Sequence, residues 1–384
     1  MRLKIVKTLC LAVSLLLAFE AFGQCGREVG LKDAAKGKFL VGVAITDAQV
    51  AGHFPEKTAL IKKHFNSIVA ENTMKPEPMQ PREGEFNFAA ADAFVKFGLE
   101  NKMFIVGHTL IWHSQLPQWF CTDEDGNNVE PEVLKARMKK HIQTIVGRYK
   151  GLVKGWDVVN EAIEGDGSFR KSKFYEILGE EFIELAFQYA HEADPKAELY
   201  YNDYGMADKG KREGVVRLIK NLKKKRIRID AVGMQGHMGM QHPDIAEFEK
   251  SIEAFSKAGV KVMITEWDMS ALPSAWGASA NISDTQEFNA KYNPYTESLP
   301  EDVSEEWNKR MEDFYRLFLR HSESISRVTF WGVADDDSWL NNFPMQGRTD
   351  YGLAFDRQLN PKPFVKKILE GKVKEKPLPR DRRW

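Results

Sequence analysis

The sequence predicts an α/β fold, a single (β/α)8 TIM barrel, on three observations. Eight β-branched or apolar runs alternate with stretches of helical periodicity. Most of those runs are apolar on both faces, as parallel strands covered by helices must be. No break in composition divides the 384 residues, a length that suits one barrel with insertions.

The expected strands are Phe39–Thr46, Ser67–Met74, Met103–Trp112, Gly155–Glu161, Ala197–Tyr204, Ala231–Met238, Lys261–Asp268 and Arg327–Asp335. Each is a short run closed by turn-forming or polar residues. Helical spacing marks Pro131–Tyr149, where Val133, Met138, Ile142 and Ile145 recur at the period of a helix face. Ala90–Glu100, Phe182–Ala193, Val215–Lys224, Phe248–Ala258 and Glu305–His321 behave likewise. The longest insertion, Ser270–Glu301, follows the seventh strand and is rich in Ser, Asn and Pro, so it is expected as a loop on the active face. A doubly wound open sheet is the alternative architecture, but no Gly-rich phosphate loop supports it.

Residues 1–23 read as an export signal. Arg2, Lys4 and Lys7 precede an apolar run, Leu9 to Phe19, too short to span a bilayer. Ala21-Phe22-Gly23 offers a small-x-small cleavage site before Gln24. The expected organisation is therefore a catalytic barrel over 24–371 and a charged extension over 372–384, in a secreted chain of periplasmic or extracellular location with no membrane span, acting as a monomer. Cys10 lies in the signal. Cys25 and Cys121 can be free or paired, and a lipid anchor at Cys25 competes, although Phe22-Gly23-Gln24 fits a lipidation box poorly.

Charge narrows the partners. Fifty-five basic residues balance fifty-five acidic ones, so no global field favours nucleic acid or an anionic membrane. A neutral polymer is the partner class left most open, and nine Trp and twenty-four Phe include the kind of flat ring on which sugars stack, although most such residues are core. The run Lys223–Arg228 is expected at a helix end, where cations suit the dipole. His53, His64, His141 and His242 lack metal-ligand spacing, and no metal or other cofactor is expected. Asp335-Asp336-Asp337 is expected as a loop of solvated carboxylates rather than a cation site.

In such barrels the chemistry sits at the C-terminal ends of the strands. There the strands read Glu71-Asn72-Thr73-Met74-Lys75, Gly107-His108-Thr109-Leu110-Ile111-Trp112-His113, Trp156-Asp157-Val158-Val159-Asn160-Glu161, Tyr201-Asn202-Asp203-Tyr204, Gln235-Gly236-His237 and Thr265-Glu266-Trp267-Asp268, with Trp331 opening the last loop. One polar ending would mean little; seven on one rim form a site. Glycosidic cleavage needs one protonated and one ionised carboxyl, and Glu161 and Glu266 lie on the fourth and seventh strands. Two carboxyls facing one pocket also repel, which helps one of them keep its proton. Ile264, Glu266 and Asp268 share a face by the two-residue period, as do Gln235 and His237. An Asp268–His237–Glu266 chain would keep Glu266 ionised, which leaves Glu161 as the acid.

Together these endings resemble the family-10 glycoside hydrolases, the barrel xylanases, over roughly residues 30–370. The resemblance implies a retaining endo-β-1,4-xylanase acting on xylan and xylo-oligosaccharides, with Glu161 as acid/base and Glu266 as nucleophile. It implies that Asn160 holds the sugar 2-hydroxyl and that Glu71, Asn72 and Lys75 bind the non-reducing side. By the same resemblance His108, Gln235 and His237 serve the central sugar and the nucleophile, Trp112, Trp331 and Trp339 line the platform, and Tyr204 faces the leaving side. Gly205 departs from the family, which often has a polar residue there, and the 270–301 insertion is long for it. The rivals are a barrel cellulase or mannanase, a sugar binder without catalysis, and a phosphate-dependent barrel enzyme. The binder should lack one of the two glutamates, and the last should carry a Gly-rich phosphate site after strands seven and eight.

Overall fold

Strands buried on both faces need apolar residues at every position, and the observed ladder follows the apolar runs. The computed structural model describes residues 29–275 and 285–375. Among these, nine strands lie in parallel: β1 (Leu40–Ile45), β2 (Ser67–Ala70), β3 (Phe104–Trp112), β4 (Gly155–Asn160), β5 (Glu198–Asp203), β6 (Ala231–Met234), β7 (His237–Gly239), β8 (Lys261–Ser270) and β9 (Ile325–Phe330). From β2 to β6 each pairs with its predecessor, β6 pairs directly with β8, β8 with β9, and β9 with β1. The sheet is therefore a closed barrel of eight positions, with β7 continuing the sixth beside β8.

Two apolar clusters explain why the runs lack alternation. The barrel interior holds Ala44, Val69, Val106, Tyr200, Ala231, Met263 and Trp331. The larger cluster lies outside the sheet, where residues such as Ile68, Ile105, Trp156, Leu199 and Trp267 meet the helices. Gly155 is required by the interior: a Cβ there would meet the Tyr200 hydroxyl at 2.0 Å.

Several strands end differently from expectation, each for a local reason. The second stops at Ala70 because the chain turns at Asn72, whose carbonyl accepts the Lys75 N–H. The fourth stops at Asn160 because Glu161 adopts φ 59°. The sixth breaks at Gly236, with φ 84°. The seventh runs on to Ser270, and the eighth spans Ile325–Phe330, ending before Trp331. The helices Ala89–Glu100, Pro131–Arg148, Glu181–Ala193, Lys209–Lys224, Ile245–Lys257 and Glu301–Arg320 fill the expected gaps. Pro at the first position starts the second of these, and Asp244 caps the fifth through the Glu247 N–H.

Packing decides which helix faces are buried. Val133 is exposed, whereas Met138, Ile142 and Ile145 are buried as expected, and Leu134 and His141 complete that face. Lys209–Lys224 begins six residues early for its apolar pattern because Lys211 and Arg212 are buried through polar partners. Pro55–His64 buries Lys57, Ile61 and His64, a face with no apolar stripe to betray it. Pro363–Leu369 also went unrecognised by periodicity. Of the acidic triplet only Asp336 is well exposed: Asp335 pairs with Lys362, and Asp337 with Lys57. Lys223 serves a neighbouring helix, donating to the carbonyls of Ala258 and Gly259.

The described part of the insertion sits at the C-terminal end of β8. It pairs with the loop that follows Trp339: Gln286 N–H donates to Pro344, Arg348 to Pro273 and Tyr292, and Tyr351 to Tyr295. The described start of the C-terminal extension packs down, with Val373 buried and Glu375 paired with Lys38. Cys121 is buried and has no disulfide partner among the described residues, while Cys25 and the expected export segment lie outside them. No described helix is long and apolar enough to cross a membrane.

Candidate active site

The C-terminal rim gathers the predicted side chains into one cleft, and irregularities in the strands aim them. Register shifts interrupt β3 between His108 and Ile111, β4 between Asp157 and Val159, and β8 between Ile264 and Trp267. Such bulges turn side chains that strict alternation would send elsewhere. In β8 this overturns one expectation. Met263 lies inside the barrel and Ile264 outside, so Ile264 does not share a face with Glu266 and Asp268.

Glu266 is buried. Its Oε1 accepts from Asn202 Nδ2 at 2.8 Å, and its Oε2 lies 3.1 Å from His237 Nε2. His237 Nδ1 lies 2.9 Å from Asp268 Oδ2, the same oxygen that accepts from Trp339 Nε1 at 2.8 Å. Burial alone would push the imidazole down, but Asp268 and Glu266 outweigh it and lift it to about 10. Burial would likewise raise Glu266, yet the His237 hydrogen bond, the neighbouring imidazoles and Asn202 hold it below the ordinary carboxylate range.

Glu161 has the opposite surroundings. Its carboxyl accepts from Trp112 Nε1 and from Gln235 Nε2, both at 2.8 Å and both neutral donors. Burial raises its proton affinity, and the negative charges of Asp203 and, more weakly, Glu266 add to that. The two carboxyls are thus driven apart, one toward holding its proton and one toward charge.

The remaining predicted residues surround this pair. Asn160 Oδ1 accepts from Asn202 Nδ2 at 2.9 Å, which sets the orientation of its amide. His108 Nδ1 meets Asp157 at 2.9 Å, and its ring packs edge-on to Trp331 at 5.4 Å. Trp339 packs 4.9 Å from the His237 ring. Lys75 donates to Asn72 and Gln115 at 2.8 and 2.7 Å, stands over Trp112, and faces Glu71, Glu161 and Glu266. Burial raises Glu71, against the pull of Lys75. Tyr204 accepts from Arg170 at 2.6 Å and lies under Lys211.

Sequence reasoning passed over some of the supporting residues. Asn202 bridges Glu266 and Asn160 and is itself held by Thr265 Oγ1 at 2.6 Å. Asn202 and Asp157 stood inside recognised motifs, so their signal was present. Arg170, Lys211 and Gln115 come from a loop, a helix and a turn with no pattern that marks them.

A barrel whose C-terminal rim opposes a carboxyl biased toward its proton to one biased toward charge, between aromatic rings, has the constellation of a glycoside hydrolase. Comparison with known proteins agrees. The glycosyl hydrolase family 10 model matches residues 30–371. An endo-1,4-β-xylanase A of Xylanibacter ruminicola is 45% identical over 362 residues, covering 94% of this chain and 97% of that one. An endo-1,4-β-xylanase of Geobacillus stearothermophilus is 39% identical, covering 90% and 99%. The solved structure of an endoxylanase from a sugarcane soil metagenome superposes with a TM-score of 0.85 at 46% identity, covering 89% and 100%. The chain belongs to glycosyl hydrolase family 10.

Proposed function

We propose that this protein is a secreted, retaining endo-β-1,4-xylanase in which Glu161 is the acid/base and Glu266 the nucleophile. The carrying observation is the opposite electrostatic setting of the two carboxyls: Glu266 on a His237–Asp268 chain, Glu161 on neutral donors beside Asp203. The family, and relatives named as endo-1,4-β-xylanases, support the substrate.

In the first step the Glu161 proton passes to the glycosidic oxygen as that bond breaks, and Glu266 attacks the anomeric carbon to form a glycosyl ester. In the second, Glu161, now a carboxylate, takes a proton from water. The water oxygen attacks the same carbon from the opposite side and releases Glu266, so two inversions restore the β configuration. Asn160 is assigned to the sugar 2-hydroxyl. Glu71, Asn72 and Lys75 are assigned to the non-reducing side, Trp331 and Trp339 to the platform, and Tyr204 to the leaving side.

Digestion of glucuronoxylan and arabinoxylan, with the products sized, tests the activity. Short oligosaccharides and a rapid fall in chain length are expected; no cleavage of either polymer, beside cleavage of cellulose or mannan, would overturn the substrate. Export rests on residues 1–23, and N-terminal sequencing of material from the culture medium should begin at Gln24.

A further inference from the structure

Glu161 reaches the cleft from a left-handed backbone conformation, φ 59°, that a residue with a Cβ adopts only when its surroundings hold it there. Its own N–H donates to the Asn202 carbonyl at 2.9 Å, and its carbonyl accepts from Arg170 Nε at 2.8 Å. The next N–H, of Ala162, donates to the Tyr201 hydroxyl at 3.0 Å. That hydroxyl donates in turn to Asp203 Oδ2 at 2.5 Å, and the Ile163 N–H points to the same oxygen at 3.4 Å. The other oxygen of Asp203 accepts from Lys211 Nζ at 2.8 Å and from the Tyr204 N–H at 2.9 Å. Asp203 and Tyr201 are fully buried, so neither can touch a sugar.

We propose that Asp203, with Tyr201 and Lys211, is a positioning residue for Glu161: it holds the turn that presents this carboxyl and keeps a fixed negative charge behind it. The proposal deepens the reading above and rests on Glu161 being the proton donor. The charged and titratable groups around Glu161 are Asp203, Glu266, Lys75 and Arg170. Those around Asp203 are Lys211, Arg170, Tyr201 and Tyr204, with His113 facing Lys211 and Arg170 and kept neutral by burial and those two cations. Asp203 acts on Glu161 more strongly than Glu266 does. Its ion-pair partner Lys211 lies over the Tyr204 ring at 3.8 Å, on the opposite oxygen from the one bonded to Tyr201.

The test is the pH dependence of kcat/KM on a xylobioside with a poor leaving group, whose basic limb reports the loss of the donor's proton. Removing a nearby negative charge favours the ionised donor, so Asp203→Asn should move that limb toward acid by about one pH unit. Above the limb this is about a tenfold loss. A dinitrophenyl xylobioside, which needs no proton for glycosylation, should react within about twofold of wild type. Tyr201→Phe keeps the charge but removes the hydroxyl under Ala162, so it should lower kcat and leave the limb in place. A residue that only supported the fold would lower activity evenly, and an unmoved limb in Asp203→Asn would overturn the proposal. Should that variant strand Lys211 and fail to fold, Asp203→Asn with Lys211→Met removes the pair and should move the limb in the same direction by less, because the cation leaves with the anion. Should neither fold, wild-type kcat in Tyr201→Phe would overturn it. Glu161→Ala separates the two readings. A basic limb that survives there sinks Glu161 as the donor; one that vanishes there yet stays put in Asp203→Asn sinks only the role of Asp203.

Discussion

Trp339 and His237 converge on a single oxygen of Asp268, at 2.8 and 2.9 Å, so one buried carboxylate sets both the Trp339 ring and the partner of Glu266. A change at Asp268 therefore reaches the proposed sugar platform and the proposed nucleophile together. Asp268→Asn should lower kcat/KM by about 10²-fold, in the range found when one preorganised partner of a reacting group is lost. Because His237 would lose its stronger anionic neighbour, the loss should deepen as pH rises toward 10. Steady-state kinetics across pH check this, and a uniform loss would detach Asp268 from the imidazole's charge.

Stereochemistry follows from the double displacement. The first-formed product anomer, followed by NMR, should be β; an initial α product would leave Glu266 without a covalent role.

The two glutamates should separate by leaving group. Glu161→Ala should lose most activity on xylan yet still become glycosylated by substrates whose leaving groups need no protonation. Glu266→Ala should be inactive on both kinds, since no ester can form. Burst kinetics distinguish the variants, and equal losses on both substrates in Glu161→Ala would contradict the assignment.

Xylose lacks the C5 hydroxymethyl group of glucose, so closing the cleft over that position discriminates between them. Trp339, anchored on Asp268, and Lys75, anchored on Asn72 and Gln115, are the side chains assigned to that closure. Aryl xylobiosides should exceed aryl cellobiosides in kcat/KM by at least about tenfold, or about 1.4 kcal/mol. Trp339→Ala should shrink the ratio while weakening both substrates. Equal rates in the wild type would point to a broader β-glucanase, and an unchanged ratio in the variant would clear Trp339.

The raised His237 also couples stability to pH. Its folded value, about 10, stands above its ordinary 6.5, so its contribution is complete below about 6.5 and is lost as pH climbs to about 10. Glu266, held low, contributes above the ordinary carboxylate range and loses that as pH falls through its depressed value. The melting temperature of His237→Gln should decline less steeply than that of wild type between pH 7 and 10. Parallel declines would remove His237 from the alkaline loss.

The sequence by itself determined the barrel and most of the cleft. Strands buried on two faces must be apolar throughout, and helices that cover them must repeat at their own period, so the order of elements was legible without coordinates. The rim residues were legible because polar groups at successive strand ends have few structural uses. Only the tertiary structure decided what distant residues do to one another. The β8 irregularity that moves Ile264 off the face of Glu266 depends on its ladder with β9. Asn202 bridging to Glu266, Arg170 holding the Glu161 carbonyl and Lys211 buried against Asp203 join separate segments. Buried polar groups obey no periodicity, because each is admitted by one partner at one distance, and that partner is set by the closed barrel rather than by its neighbours in the chain.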